Sequence, residues 1–301
     1  MSVLAPPSIR DLPAYVAAEP GAQASQWGLA WRQFRRHRLA LVGLVVLIML
    51  ALGATLAAVS PYDPNQTSLL VRFEAPSPAH PMGTDDLGRD ELTRVLIGGR
   101  LSLAVGLLAT VVSVVAGTLV GALAGYFGNA MDSVLMRLTE LFIAFPQLFI
   151  LILLAALVGT SPVTIILVIG LLRWMPVARL VRAAFLQLKQ QDFVTAARTL
   201  GASTGTIMWR HILPNALSPI LVAASLGVAG AILTESTLSF LGLGIQLPTA
   251  TWGNMLRSAQ SHMTTAPWLA FFPGFCIFLT ILSLNYIGDG LRDALDPRKS
   301  V

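Results

Sequence analysis

Few residues in this 301-residue sequence have the types and spacing of a catalytic centre. A phosphate-binding loop requires a lysine directly after a glycine, because the ammonium must reach the β and γ phosphates from a glycine-lined turn. The two lysines are Lys189 and Lys299, and neither follows a glycine. The four histidines are far apart, and none belongs to a His-Glu-x-x-His zinc motif. We therefore expect no ATPase site, no metal site and no cofactor bound by this chain.

The segment 83–91 is acidic enough to suggest calcium binding. It lacks the alternating Asp/Asn ligands that precede the glycine of a calcium loop. We interpret it instead as the start of a helix, with Thr84 or Asp85 as its cap and with Leu87 and Val95 among its apolar residues. Direct contact between this segment and a substrate is the alternative.

The composition is that of a membrane protein. Charged residues make up 12% of the chain, against roughly 25% in ordinary soluble domains, and hydrophobic residues make up 55%. The mean hydropathy is +0.72. The net charge of +5 does not indicate nucleic-acid binding, because the basic residues lie beside apolar runs rather than on one solvated face. The single cysteine, Cys276, excludes a disulfide framework.

Apolar runs of about 20 residues or more predict membrane spans. Five such runs occur, at residues 39–62, 101–131, 141–172, 211–234 and 258–288. The run 141–172 is too long for one span and contains the turn signal 159–162, so we divide it into spans at 141–158 and 163–178. This division predicts that Arg173 lies at the inner headgroups. The glycine-rich run 236–256 is interpreted as a structured loop.

The distribution of basic residues supports six spans with a cytoplasmic N-terminus. Fifteen Lys/Arg residues then fall on the cytoplasmic side and five outside, whereas a five-span chain would place seven inside and thirteen outside. The positive-inside rule favours the first arrangement. The run 39–60 is long enough to remain as a signal anchor. Before it, Trp27, Trp31 and Phe34 recur at helical spacing among arginines, which predicts a short interfacial helix after a tail at 1–25.

Glu235 ends the fifth predicted span and has no lysine or arginine nearby in the sequence. An acidic group at membrane depth is costly unless it faces water or a partner, so such residues commonly mark pathways and gates. We therefore regard Glu235 as a candidate for the translocation pathway or its gate. At the membrane interface the same carboxylate would cost little and would need no functional explanation.

The segment between the fourth and fifth spans contains a distinctive pattern. Residues 193–203 read Phe-Val-Thr-Ala-Ala-Arg-Thr-Leu-Gly-Ala-Ser, and residues 211–215 read His-Ile-Leu-Pro-Asn. We expect a helix that ends at Gly201, followed by a second short helix that Ser203 caps and that stops before Pro214. Ala196 and Ala197 would leave a smooth patch that another protein could approach.

This segment resembles the coupling motif of permeases from binding-protein-dependent ABC importers, Glu-Ala-Ala-x3-Gly-x9-Ile-x-Leu-Pro, which docks on an ATPase subunit. The matching residues are Thr195, Ala196, Ala197, Gly201, Leu213 and Pro214. Thr195 stands where the family usually has Glu, and His211 where it often has Ile. Three further stretches, 80–90, 235–254 and 288–297, are similar to the second permease type of the dipeptide, oligopeptide and nickel importer family.

The resemblance implies an all-α permease subunit with six transmembrane helices in a prokaryotic inner membrane, with both termini cytoplasmic. It implies as partners a second permease that completes a heterodimer, two ATPase subunits that bind ATP and Mg²⁺, an extracytoplasmic binding protein and membrane lipid, but no nucleic acid. The implied substrates are di- or oligopeptides, with nickel, glutathione or another small solute as the alternative. A secondary transporter would favour inverted repeats and midplane charges, and an intramembrane enzyme would need a nucleophile or paired acids; neither pattern is found.

These interpretations divide the chain into five regions. They are a tail with an interfacial helix at 1–38, a first span at 39–60, an extracytoplasmic segment at 61–100, a permease core at 101–288 that contains a coupling loop at 179–213, and a C-terminal tail at 289–301.

Overall fold

A computed structural model describes residues 26–57 and 60–295. The tail predicted at 1–25 and the chain after Leu295 lie outside the described residues. The described part is helical, without β-strands, which confirms the all-α prediction. Its α-helices are α1 (Gln26–Phe34), α2 (Arg38–Leu56), α3 (Glu91–Phe127), α4 (Asn129–Ala144), α5 (Gln147–Val158), α6 (Pro162–Leu172), α7 (Trp174–Leu188), α8 (Asp192–Thr199), α9 (Thr204–Thr206), α10 (Leu213–Phe240), α11 (Trp252–Ala259) and α12 (Trp268–Leu295).

Four helices are long and apolar enough to cross a membrane by themselves: α2, α3, the continuous helix Thr204–Phe240, and α12. Two bent pairs, α4 with α5 and α6 with α7, pass the same test when each is taken as one span. The total therefore reaches the six spans that the sequence predicts. The turn predicted at 159–162 is present: α5 ends at Val158, Gly159 has φ +95°, and the Ser161 hydroxyl accepts a hydrogen bond from the Thr164 amide.

The first bent pair changes the predicted third span. The chain turns by 85° between α4 and α5, at Phe145 and Pro146. Because proline lacks an amide hydrogen and disfavours helical geometry in the residue before it, the predicted straight helix 141–158 does not form.

The second bent pair places Arg173 inside a span rather than at its end. The chain bends by 42° between α6 and α7, and Arg173 is the residue between them. Pro176 cannot donate to the carbonyl of Leu172, four residues earlier, and the Gln147 side-chain amide donates to that carbonyl instead, at 2.8 Å. When the pair is taken as one span, Arg173 therefore lies near the middle of that span and not at its inner end, where the sequence analysis placed it. An arginine at a helix centre is unfavourable by about 3 kcal/mol on insertion scales, so this position needs compensation.

Several predicted boundaries also move. Helix α3 begins at Glu91, so residues 91–100 of the predicted extracytoplasmic segment 61–100 already belong to the helix of the second span. Helix α7 continues to Leu188, so the region 179–213 begins as helix rather than loop. Helix α12 continues to Leu295, so residues 289–295 extend the last span instead of starting a tail.

Helix α3 is the centre of the packing and contacts α2, α6, α7 and α10. Its face against α7 carries Gly117, Gly121 and Gly125. A methyl group on Gly117 would come within 2.6 Å of the Val177 Cβ, and one on Gly121 would collide with the Ala178 carbonyl oxygen. Small residues let two helix backbones approach closely, which is how membrane helices gain packing energy without a hydrophobic driving force.

The segment before α3 folds over the end of the bundle that also carries α11. The predicted caps, Thr84 and Asp85, are wrong: Asp90 is the N-cap, and its carboxylate accepts from the Thr93 amide at 2.8 Å. Asp85 instead accepts from the Arg89 Nε at 2.6 Å. The His80 Nδ1 lies 2.9 Å from Asp90. These polar groups therefore satisfy one another within residues 80–93.

Candidate coupling site

Helix α8 and the turn after it form the predicted coupling site. Asp192 lies in the first turn of the helix and Arg198 in the last, which suits the helix dipole. At the end, Gly201 has φ +81° and donates to the Arg198 carbonyl, while the Ala202 amide donates to the Ala197 carbonyl, each at 3.0 Å. This pair of bonds is a Schellman motif, which favours glycine at the left-handed position. The predicted end of the helix at Gly201 is confirmed within two residues.

Helix α8 has a buried face and an exposed apolar face. Val194 is fully buried, and Ala197 is only 9% exposed. Ala197 therefore faces the body of the protein, and the prediction that it forms part of an open patch with Ala196 is wrong. Phe193 and Leu200 are 40% and 88% exposed, and Ala196 lies between them on the same side, at i, i+3 and i+7. We call Phe193, Ala196 and Leu200 the α8 stripe.

Sequence reasoning missed the two larger members of this stripe. Phe193 and Leu200 are seven residues apart with Ala196 at i+3, a helical period that was available in the sequence. The period alone does not say whether such a face is buried or exposed, and Val194 and Ala197 form a second apolar face on the same short helix.

Thr195 lies on the polar side of α8 and is exposed. Its carbonyl accepts from the Thr199 hydroxyl at 3.0 Å. Arg198 is exposed three residues later, so a glutamate at position 195 would have a basic neighbour on its own helix.

The buried face of α8 fixes the helix to the rest of the molecule. Val194 belongs to a hydrophobic cluster with Phe185 of α7 and with Ile207, Met208 and Ile212, which follow α9. The Lys189 ammonium, in the connection between α7 and α8, donates to the Tyr126 carbonyl of α3 at 2.5 Å. A force applied to the α8 stripe would therefore reach α3, α7 and α10 through packed side chains.

The helix after Ser203 differs from the prediction. Ser203 caps α9 by accepting from the Thr206 amide, as expected. The helix does not stop before Pro214; it continues through a π-helical turn, Ile207–Ile212, directly into α10. The Leu213 amide donates to Met208, five residues back, so the hydrogen-bond ladder changes register immediately before the proline. Pro214 lacks an amide hydrogen, and this is tolerated at a point where the hydrogen-bond ladder changes register. Leu213 is half-buried and Pro214 is exposed.

Glu235 lies near the opposite end of the same continuous helix. Its side chain is fully buried, and its carboxylate accepts from the Ser239 hydroxyl at 2.8 Å and, more weakly, from Ser102 of α3 at 3.4 Å. The Ser102 hydroxyl also accepts from the Trp252 amide at the start of α11, at 3.2 Å. Glu235 therefore joins three segments, α10, α3 and the start of α11. Within the described residues it forms no ion pair with a basic side chain.

Comparison with known proteins agrees with this architecture. Residues 117–301 match the family model for the inner membrane component of binding-protein-dependent transport systems, and residues 25–76 match the N-terminal transmembrane domain of oligopeptide transport permease C. A dipeptide transport permease from Alkalihalophilus pseudofirmus is 41% identical over 91% of this chain and 90% of its own length.

Two further relatives differ in the substrate that their names give. An oligopeptide transport permease from Haemophilus influenzae is 43% identical over 91% of this chain and 89% of its own length. A glutathione transport permease from Pectobacterium atrosepticum is 42% identical over 90% of this chain and 91% of its own length. The family match covers more than half of the chain, and these relatives align with nearly all of it. The chain therefore belongs to the family of inner membrane components of binding-protein-dependent transport systems.

Proposed function

We propose that this chain is one of two permease subunits of an ATP-driven importer for di- or oligopeptides, and that the α8 stripe docks on an ATPase subunit. The observation that carries the docking assignment is an exposed apolar face on a short helix whose opposite face is packed rigidly on the bundle. A monomeric protein gains nothing from exposing Leu200 at the tip of a helix, whereas an interface gains a central apolar anchor.

In this proposal ATP and Mg²⁺ act on the partner subunits, and this chain converts their closure into movement. ATP must bind the two conformations of the complex with different affinity, because only that difference can shift the equilibrium. The α8 stripe would transmit the change to the helix Thr204–Phe240. That helix has 37 residues and is therefore about 55 Å long, enough to reach from the coupling site to the opposite membrane surface.

Glu235 lies near the end of this helix that is farthest from α8, so a movement of the helix would reach it. We assign it to the gate as a positioning residue, because its carboxylate holds α10, α3 and the start of α11 in one arrangement. In the proposed orientation the α8 end is cytoplasmic, and the end with α11 and residues 60–90 faces the binding protein.

Docking is tested by adding a charge to the stripe. Ala196→Arg and Leu200→Asp should reduce both co-purification of the ATPase and peptide uptake by at least tenfold. Both side chains are exposed, so membrane insertion and the thermal unfolding midpoint of the chain should stay the same. Thr199→Arg is the matched control for Ala196→Arg, because it adds the same positive charge to α8 at an exposed position on its polar side.

Thr195→Glu should be tolerated, because Arg198 lies one turn away and such helical pairs contribute about 0.2–0.5 kcal/mol. Normal uptake with both stripe variants would refute the docking assignment. Equal losses with Thr199→Arg would assign the effect to α8 as a whole rather than to the stripe, and would refute it as well.

A further inference from the structure

Taken as one span, α6 and α7 place Arg173 near the middle of the membrane. Helix α6 runs from the turn at 159–161 to Leu172 and has 11 residues, so it is about 16 Å long, or half of the roughly 30 Å hydrocarbon thickness. Within the described residues no acidic side chain forms an ion pair with Arg173. A charged side chain at this depth usually faces a cavity or a partner and serves a pathway.

The guanidinium of Arg173 is fixed in direction by α10. Its Nη1 donates to the Thr234 hydroxyl at 3.2 Å, and its Nη2 lies so close to Gly230 that any side chain there would collide with it. The Thr234 hydroxyl accepts one hydrogen bond from Arg173, whereas a guanidinium carries five N–H donors. The remaining donors have no partner in the described residues.

Arg173 lines a cavity of about 400 Å³ between α3, α7 and α10. The polar residues of its wall are Arg173, Ser113 of α3 and Gln147 of α5, and the remainder is apolar or small. The volume is that of a typical small-ligand pocket, and the wall has the usual composition of such pockets, mainly apolar with a few convergent polar groups.

The break between α6 and α7 forms part of this wall. Gln147 replaces the donor that Pro176 lacks, so the Leu172 carbonyl is satisfied and the bend is stable. The bend places the N-terminus of α7, a helix of 15 residues, beside Arg173. Broken membrane helices use such ends to bind anionic groups of transported solutes.

We propose that Arg173 binds the carboxylate of the transported solute as it passes through this cavity. The inference rests on the proposed function and deepens it, because it identifies a substrate group that the permease itself recognises. Arginine presents a planar fork of donors that matches a carboxylate in a bidentate geometry. The substrates named for the relatives, dipeptides, oligopeptides and glutathione, differ in length and side chains, but a free carboxylate is common to all of them.

The test uses the complex of this chain with its second permease, in nanodiscs and without the binding protein, so that the specificity of the binding protein does not enter. The probes are tri-alanine and tri-alanine amide, which differ only in the terminal carboxylate. Tri-alanine should raise the thermal unfolding midpoint of the complex in a saturable way, and the amide should raise it much less. Arg173→Gln should weaken tri-alanine binding about ten- to a hundredfold and remove the difference between the probes. Arg173→Lys should retain part of the difference between the two probes.

Thr234→Val is the matched control, because it removes the described hydrogen bond of Arg173 and keeps the charge. If Arg173 only stabilises the bundle through that contact, Thr234→Val and Arg173→Gln will have equal effects, and the inference is wrong. Loss of the second permease from the Arg173→Gln complex would identify a partner acid as the true ligand and would overturn the inference as well.

Uptake of tri-alanine by the complete wild-type transporter in proteoliposomes distinguishes a failure of this inference from a failure of the proposed function. If wild-type uptake occurs and both probes bind equally, or neither binds, the inference fails and the proposed function stands. If no peptide is taken up, the proposed function fails, and the inference fails with it.

Discussion

The hydrogen bond from Gln147 to the Leu172 carbonyl allows a sharp test of how the central bend is held. Gln147→Leu keeps the size of the side chain but removes the donor, which lies 2.8 Å from the carbonyl oxygen. An unsatisfied buried polar group costs about 1–3 kcal/mol, and interhelical bonds in membranes average about 0.6 kcal/mol with a maximum near 1.7. We therefore expect the free energy of unfolding in bicelles, measured by steric trapping, to fall by about 1 kcal/mol.

The proline provides the internal control for this prediction. Pro176→Ala restores a backbone amide four residues after Leu172, so in that background the carbonyl no longer depends on Gln147. The loss caused by Gln147→Leu should then shrink to within about 0.5 kcal/mol, the range expected of uncoupled sites. Gln187→Leu, at an exposed site on α7, should also change stability by less than about 0.5 kcal/mol. An equal loss in the proline and alanine backgrounds would refute the reasoning.

Three further outcomes are expected. In a background with the native cysteine replaced by alanine, single cysteines at Ser203 and Thr67, both exposed, should be labelled from opposite sides of the membrane, and labelling from one side would contradict the six-span topology. Gly121→Ala should destabilise the chain by about 1–3 kcal/mol in thermal unfolding, because its methyl group meets the α7 backbone. Gly205→Ala is the control: its methyl group meets nothing within 4 Å, so the same measurement should show no change in stability. Glu235→Gln, which keeps a carbonyl acceptor for the serine hydroxyls, should retain more uptake than Glu235→Leu, which leaves them unpaired; equal uptake by the two would contradict the positioning role.

Much of the architecture could be predicted from local sequence. The low charge content and the long apolar runs predicted a helical membrane protein, because lipid leaves few other ways to satisfy backbone hydrogen bonds. The turn at 159–162 and the glycine end of α8 were also predictable, since each depends on a proline, a serine cap or a left-handed glycine within a few residues. Interactions of this short range depend only on residues that are close together in the sequence.

The details of the candidate sites depended on partners that are distant in sequence. Ala196 and Ala197 are adjacent and chemically identical, yet only Ala196 is exposed, because the cluster on α7 and α10 covers the other side of α8. Arg173 lies within a bent pair of helices rather than at its end, at a break where Gln147 donates to the carbonyl of Leu172, 25 residues further along the chain. Glu235 is buried because Ser102, 133 residues away, contributes to its shell. Helical periodicity gives the faces of a helix but not what covers each one, so the direction of these side chains was decided by tertiary packing.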